Sequence, residues 1–197
     1  MASSERTEIR ITGFGGQGVV LAAHIIGHAC AIVADQHASM MQSFGPEARG
    51  SSCTATLVIS PYEILYPYVA RSDVLVTMSA DGYQTHIGEL AEDGVLVYER
   101  DLVSPAPHRP QRMHGVSSTR IAESLGRPIV QNIVMVGFFA AVTSVVSPEA
   151  MREAVAASVP PGTEGINLEA FDRGLEFGLE SVGLSVDEVV PRMVRER

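Results

Sequence analysis

Glu8-Ile9-Arg10-Ile11-Thr12-Gly13-Phe14-Gly15-Gly16-Gln17-Gly18-Val19 begins with alternating apolar residues and then places four glycines in six positions. The alternation over Glu8 to Thr12 predicts a short strand, and the apolar run from Val19 to about Val33 predicts a well-buried helix. Between them Gly13 to Gly18 fits G-x-G-x-x-G. Missing side chains there let backbone N–H groups approach a phosphate at a helix N-terminus. Gly13, Gly15, Gly16, Gln17 and Gly18 are therefore candidate ligand-binding residues. A dinucleotide reading also needs an acidic residue about 20 positions further on to hold a ribose. Asp35 lies seventeen residues after Gly18, so NAD binding is a rival. That rival requires Ala31 to Ala34 to be a second strand, although no strong helix breaker precedes them. A tight turn with no ligand is the third reading.

Outward from this loop, His37 to Gln42 and Cys53 to Ile59 read as strands joined by the loop Ser43 to Ser52. Asp73 to Met78 reads as a strand, Tyr83 to Ala91 as a helix, and Gly94 to Tyr98 as a strand after the Asp93-Gly94 turn. Pro105, Pro107 and Pro110 punctuate an extended connector before a strand at Arg112 to Val116 and a helix at Ser118 to Leu125. Beyond Pro128 the chain reads as helical. A buried helix lies within Ile129 to Val146, a second opens at the Ser147 cap with Pro148 first inside, and a third runs from Asn167 to about Ser181. The alternation predicts an α/β fold, a single Rossmann-like sandwich with a mostly parallel sheet and a helical C-terminal portion. One domain over residues 1–182 is expected, with a polar tail over 183–197, mobile or bound to a partner.

The chain has 197 residues, 46% of them hydrophobic, and a formal charge of −9. A chain of this size buries roughly 70% of its unfolded surface without staples. The acidic balance gives no general basis for nucleic-acid binding. There is no lysine, which excludes Schiff-base catalysis, pyridoxal-phosphate chemistry and a Walker A loop. Cys30 and Cys53, the two cysteines, cannot supply the ligands of an iron-sulfur cluster or a structural zinc. Any electron carrier must then reside in another chain. Met1 to Glu8 lacks the basic start and apolar middle of a secretory signal. The stretch Ile129 to Val146 is interrupted by Gln131, Asn132, Gly137, Thr143 and Ser144, so a buried helix is expected instead of a membrane span. A cytoplasmic protein with no membrane contact is expected.

The second loop, Ser43-Phe44-Gly45-Pro46-Glu47-Ala48-Arg49-Gly50-Ser51-Ser52, combines turn residues, hydroxyls, one carboxylate and one guanidinium. Arg49 suits bidentate contact with phosphate, Ser43 and Ser51 suit the same oxygens, and Glu47 suits orientation of Arg49. A solvated Glu47–Arg49 pair in a hairpin loop is the alternative. Gly45, Pro46 and Gly50 shape the loop.

Gly-Phe-Gly-Gly-Gln-Gly-Val at 13–19 followed by Gln-Ser-Phe-Gly-Pro-Glu-Ala-Arg-Gly at 42–50 resembles the gamma subunit of 2-oxoacid:ferredoxin oxidoreductases. Further agreement lies in Ser72 to Val76 with Met78-Ser79, in Asn132, and from Val159-Pro160 to Asn167-Leu168-Glu169-Ala170-Phe171. Phe44 stands where tyrosine is common in that family, and Ser51 where a second glycine follows. The resemblance implies a subunit of a multi-chain enzyme that converts a 2-oxoacid, coenzyme A and an oxidised acceptor into acyl-CoA, carbon dioxide and a reduced acceptor. It implies that this chain helps to bind and position coenzyme A and carries no catalytic residue. Thiamine diphosphate, magnesium and [4Fe-4S] clusters would sit in alpha, beta and ferredoxin-like partner subunits, with ferredoxin or an NAD-linked subunit as acceptor. The competing classes are a stand-alone NAD-binding oxidoreductase and a scaffolding module without ligand.

Other residues invite chemistry that the pattern does not support. His24 and His28 are four apart on the first helix but have no third ligand, so helix packing is expected. Met40, Met41 and Met135 read as core fillers. Cys53 reads as a small buried strand cysteine. Asp81 and Glu89 read as residues of a polar helix face.

Overall fold

The computed structural model describes residues 6–45, 51–107 and 111–184. Among them six strands form one sheet in the order β2-β3-β1-β4-β5-β6: β1 (Thr7–Phe14), β2 (His37–Phe44), β3 (Ser52–Ser60), β4 (Ser72–Thr77), β5 (Leu90–Glu99) and β6 (Arg112–Val116). β1, β4, β5 and β6 pair in parallel, and β3 is antiparallel to both β1 and β2. Five strands thus point one way and only β3 runs back. The mostly parallel sheet expected from the alternation is present, and the single reversed strand is half of the β2–β3 hairpin.

Side-chain alternation along these strands explains their order. Ile9 and Ile11 of β1 stand beside Val74 and Val76 of β4, which stand beside Val95 and Val97 of β5. All six join the main core beneath α1 (Val19–His28), α4 (Gln131–Val142), α5 (Pro148–Ser158) and α6 (Glu164–Ser181). Leu75 and Leu96 point the other way into a smaller core with Tyr83 of α2 (Ala80–His86), Ile87 and Val103. β4 and β5 are therefore apolar on both faces, as strands between two layers must be. α3 (Ser118–Ser124) begins where β6 ends. No helix among the described residues is long and apolar enough to cross a membrane.

The helix expected from Val19 to Val33 forms throughout, but its last turn, Ala29–Val33, widens to a π-helix in which the Ala34 amide donates to the Ala29 carbonyl at 3.0 Å. Residues 31–34 thus end a helix, and the strand that the dinucleotide reading needs there does not form. Asp35 adopts φ 52° in the turn that follows. Ser147 caps α5 as expected, accepting from the Ala150 amide at 3.2 Å. The Asp93-Gly94 turn signal is absorbed into β5 as a bulge, where the partner of Ser72 is Leu90 and that of Val74 is Val95. α2 opens earlier than the periodicity suggests because Ser79 caps it, accepting from the Gly82 amide at 3.1 Å. Met135 is buried as expected, but Met40 sits 36% exposed on the edge strand β2, which has no outer neighbour among the described residues.

α4 and α6 approach each other closely. A Cβ built on Gly137 lies 2.1 Å from the Phe171 carbonyl oxygen, one on Gly174 lies 2.0 Å from that of Val134, and one on Gly178 lies 2.5 Å from the Ala141 Cβ. Glycines four apart on one helix face allow this contact, because such residues stack along a single ridge.

Candidate functional site at the end of the first strand

β1 lies where the chain order reverses, since α1 carries the chain towards β2 on one side and β4, α2 and β5 lie on the other. Ligands of open α/β sheets bind beyond the carboxyl ends of strands at such a point. The glycine loop occupies it. Gln17 braces the loop: its Oε1 accepts from the Phe14 amide at 2.6 Å and its Nε2 donates to the Met78 carbonyl at 3.0 Å. The Met78 amide donates to the Thr12 carbonyl at 2.9 Å, which ties the loop to the end of β4. A Cβ on Gly13 would lie 2.6 Å from Gln17 Oε1, so Gly13 makes room for the brace.

The second motif comes to the same corner. Phe44 pairs with Cys53 and Ser43 with Thr54 across the hairpin, and the Gly45 amide donates to the Ser52 carbonyl at 2.8 Å. The Gly15 amide donates to the Ser51 carbonyl at 2.9 Å, joining the two loops directly. Pro46, Glu47, Arg49 and Gly50 lie outside the described residues. The structure thus divides the candidates. Gly13 and Gln17 serve the internal framework, Gly15 both joins the second loop and lines the cavity at this corner, and Gly16 and Gly18 hold the positive φ values, 98° and 75°.

Gly18 is the N-cap of α1 and offers no side-chain cap, and the first turn holds no acidic residue. The opening amides of an α-helix have no partner within the helix, and the dipole adds positive potential there. Gly16, Gly18, Val19, Val20 and Leu21 line a cavity of about 1000 Å³. Asn132, near the start of α4, forms the next wall. It is 3% exposed and donates from Nδ2 to the Gly18 carbonyl at 3.3 Å. Asn167 of α6 also lines the cavity, with its amide donating to the Thr163 carbonyl at 2.8 Å and to Thr163 Oγ1 at 3.1 Å. Phe44, Ile129 and Ile166 contribute apolar surface. Arg127 is the one charged side chain among the described lining residues, is exposed, and makes no ion pair among the described residues. The corner therefore offers helix amides, one guanidinium and carboxamides around an apolar pocket, a chemistry suited to an anionic group attached to an apolar body.

Cys53 also lines this cavity, yet it is 5% exposed, and burial pushes its thiol up. It behaves as the strand cysteine expected. His28 packs beside His24 at 6.1 Å between ring centroids and meets Ser158 Oγ at 3.3 Å through Nδ1. Glu89 departs from a polar helix face, because it lies in a 3-10 turn and binds Arg10 at 3.0 Å and His86 at 3.1 Å. A second concavity, about 860 Å³ beside α5 and α6, has its Arg152 already paired with Asp172 at 2.8 Å.

Sequence reasoning did not assign Arg127, Ile129, Thr163 or Asn167 to the site. Arg127 and Ile129 come from the stretch before α4, Thr163 precedes α6 and Asn167 lies in its first turns, all more than a hundred residues after the glycine loop, and only the resemblance over Val159 to Phe171 touches any of them. The available signal was the Pro160 and Gly162 turn, since Gly162 adopts φ 85° and punctuates the start of α6.

Residues 8–177 match the family described as pyruvate ferredoxin/flavodoxin oxidoreductase. The chain is 43% identical over 178 residues to the 2-oxoglutarate synthase subunit KorC of Methanocaldococcus jannaschii, a match covering 89% of this chain and 95% of that one. The keto/oxoacid ferredoxin oxidoreductase gamma subunit of Geobacter sulfurreducens PCA shares the fold with a TM-score of 0.78 at 34% identity, over 88% of this chain and 99% of that one. The 2-oxoglutarate:ferredoxin oxidoreductase of Magnetococcus marinus, solved with 2-oxoglutarate, coenzyme A and succinyl-CoA bound, contains the same fold with a TM-score of 0.80 at 19% identity. That match covers 89% of this chain but 31% of the longer one.

Proposed function

The chain belongs to the pyruvate ferredoxin/flavodoxin oxidoreductase family, as a gamma subunit of a multi-subunit 2-oxoacid:ferredoxin oxidoreductase, and on that premise we propose that its glycine-loop cavity receives the phosphate-bearing part of coenzyme A. The observation that carries this reading is the uncapped N-terminus of α1 opening into a cavity where Arg127 is the one charged lining side chain among the described residues. In a chain of net charge −9, long-range attraction does not deliver a polyanion, so local donors must hold it. The Val19, Val20 and Leu21 amides suit phosphate oxygens, Arg127 suits a second phosphate edge, and the apolar wall suits the pantetheine or adenine portion. Asn132 acts as a positioning residue, because it fixes the Gly18 carbonyl and with it the direction of the helix amides. The occurrence of coenzyme A in the Magnetococcus marinus enzyme supports the ligand class.

The partner subunits, in this proposal, carry thiamine diphosphate with magnesium and the [4Fe-4S] clusters, which supply decarboxylation and electron transfer. This chain supplies position, raising the local concentration of the acyl acceptor, which is among the larger levers in catalysis. The names of KorC relatives favour 2-oxoglutarate as the oxoacid of the complex. Arg49, in the hairpin loop, is proposed as a further phosphate ligand. The test is steady-state kinetics of the reconstituted complex. Arg127→Ala should raise KM for coenzyme A about three- to ten-fold, the value of an exposed charged contact of ~1 kcal/mol. Arg49→Ala should raise it roughly ten- to a hundred-fold. In both, KM for the oxoacid should stay put. A change confined to the oxoacid, with coenzyme A kinetics unaltered, would refute the assignment.

A further inference from the structure

Residues 61–71, Pro-Tyr-Glu-Ile-Leu-Tyr-Pro-Tyr-Val-Ala-Arg, link β3 to β4 without helix or strand and carry three of the five tyrosines of the chain within seven positions. Connecting segments are ordinarily polar at the surface, yet here Leu65 is 86% exposed, Tyr66 61% and Tyr68 55%. The segment is held in place. Arg10 donates to the Val69 carbonyl at 2.9 Å and Arg6 to that of Tyr68 at 3.2 Å, and the Tyr66 and Tyr68 rings lie 5.2 Å apart. Behind them a concavity of about 460 Å³ is rimmed by Arg6, Glu8, Arg71 and Asp73. Two tyrosine rings and a leucine expose apolar surface on the order of 300 Å², comparable with the largest patch of an ordinary monomer and with the core of a protein interface. Tyrosine-rich centres ringed by charges of both signs are the usual anatomy of such interfaces.

We infer that this aromatic strap is the docking surface for another subunit of the oxidoreductase complex, the polypeptide corresponding to the remainder of the longer Magnetococcus marinus chain. The inference rests on the family reading given above. In that longer chain the same fold makes up 31% of the length, so the domain is joined there to further polypeptide of one enzyme. A second copy of this chain is a poorer occupant, because it would bring −9 against −9. The strap also lies away from the glycine loop. Glu8 beside it and Phe14 at the cavity mark the two ends of β1, about 20 Å apart at about 3.3 Å per residue. Docking and coenzyme A binding are therefore separable.

The experiment uses the full chain co-expressed with its partner subunits, comparing wild type with the double variant Leu65→Asp, Tyr66→Asp. By native mass spectrometry on dilution, the variant should leave the complex at a concentration at least ten-fold higher than wild type. Its circular dichroism and melting temperature should match wild type. KM for coenzyme A in whatever complex remains should be unchanged, so a failure here is distinct from a failure of the coenzyme A assignment. Hydrogen exchange gives a reading free of any variant, since amides of residues 61–71 should gain protection in the complex. Undiminished association of the variant, or no added protection, overturns the inference. A wild-type chain that is dimeric alone, and monomeric once Leu65 and Tyr66 are replaced, overturns the choice of occupant.

Discussion

Replacing Gly137 by alanine places one methyl between α4 and α6. The added Cβ falls 2.1 Å from the Phe171 carbonyl oxygen, 2.9 Å from its carbonyl carbon and 3.0 Å from the Leu175 nitrogen. All three are backbone atoms of a helix, so no side chain can rotate away, and relief requires the helices to separate by about 1 Å. Overpacking of a well-packed core costs about 1 to 3 kcal/mol, and a rigid backbone neighbour puts this site at the upper end. Higher helix propensity of alanine returns about 1 kcal/mol. The net expectation is a loss of about 2 kcal/mol, or roughly 4 to 8 °C in Tm for a domain of this size. Gly165→Ala supplies the comparison, because a Cβ there meets nothing within 4 Å and the position is exposed. That variant should equal or exceed wild-type stability. Urea unfolding of both variants with a common m value is the assay. Gly137→Ala as stable as Gly165→Ala would show that the helices are free to part and that the close approach is not what holds them.

Two further outcomes follow from titration. His114 of β6 has its pKa lowered by burial and then by the Arg112 charge, so the unfolded chain takes up a proton more readily than the folded one. Stability should fall as pH drops below about 6.5, the unfolded value, and level off above it, and His114→Gln should flatten that slope in urea titrations; a slope unaltered by the replacement would remove His114 as its source. The Cys30 thiol, fully buried, is pushed up to about 12, and that of Cys53 is raised, both by burial. At pH near 8 a thiol reagent should therefore label neither cysteine rapidly in the native chain and both on unfolding. Rapid native labelling of Cys30 would mean that the helix end at Ala29–Val33 opens.

Local patterns made the elements legible, and distance in sequence hid the site. The strand Arg112 to Val116 agrees residue for residue with β6, and Ser147-Pro148 marks the start of α5, because both signals are confined to a few neighbouring residues. The junction of the two motifs was visible only as a resemblance. What brings Gly15 against Ser51 is the antiparallel register of β1 with β3, which no single stretch contains. Gln17 shows what a motif leaves unsaid. Its position in a glycine loop suggested a ligand contact, and its side chain also braces the loop through the Phe14 amide and the Met78 carbonyl, a role that depends on the end of β4. Asn132 and Asn167 were legible only through the resemblance and not as site residues, since a lone carboxamide in a helix reads equally as a buried hydrogen bond until the opposite wall is known.

The reversed strand β3 also works as a spacer. β1 and β2 run in the same direction with β3 between them, so their carboxyl ends stand two strand intervals apart, about 10 Å. The gap between the glycine loop and the tip of β2 is thereby measured out by backbone pairing, with no side chain setting the distance. Substitutions along β3 that preserve pairing should leave that gauge intact, however much they alter composition. A slip of one residue between β2 and β3 is a different matter, for it would turn Phe44 from the cavity to the opposite face of the sheet. Point changes in the hairpin strands are thus tolerable to the geometry of the site, whereas an insertion or deletion there resets it.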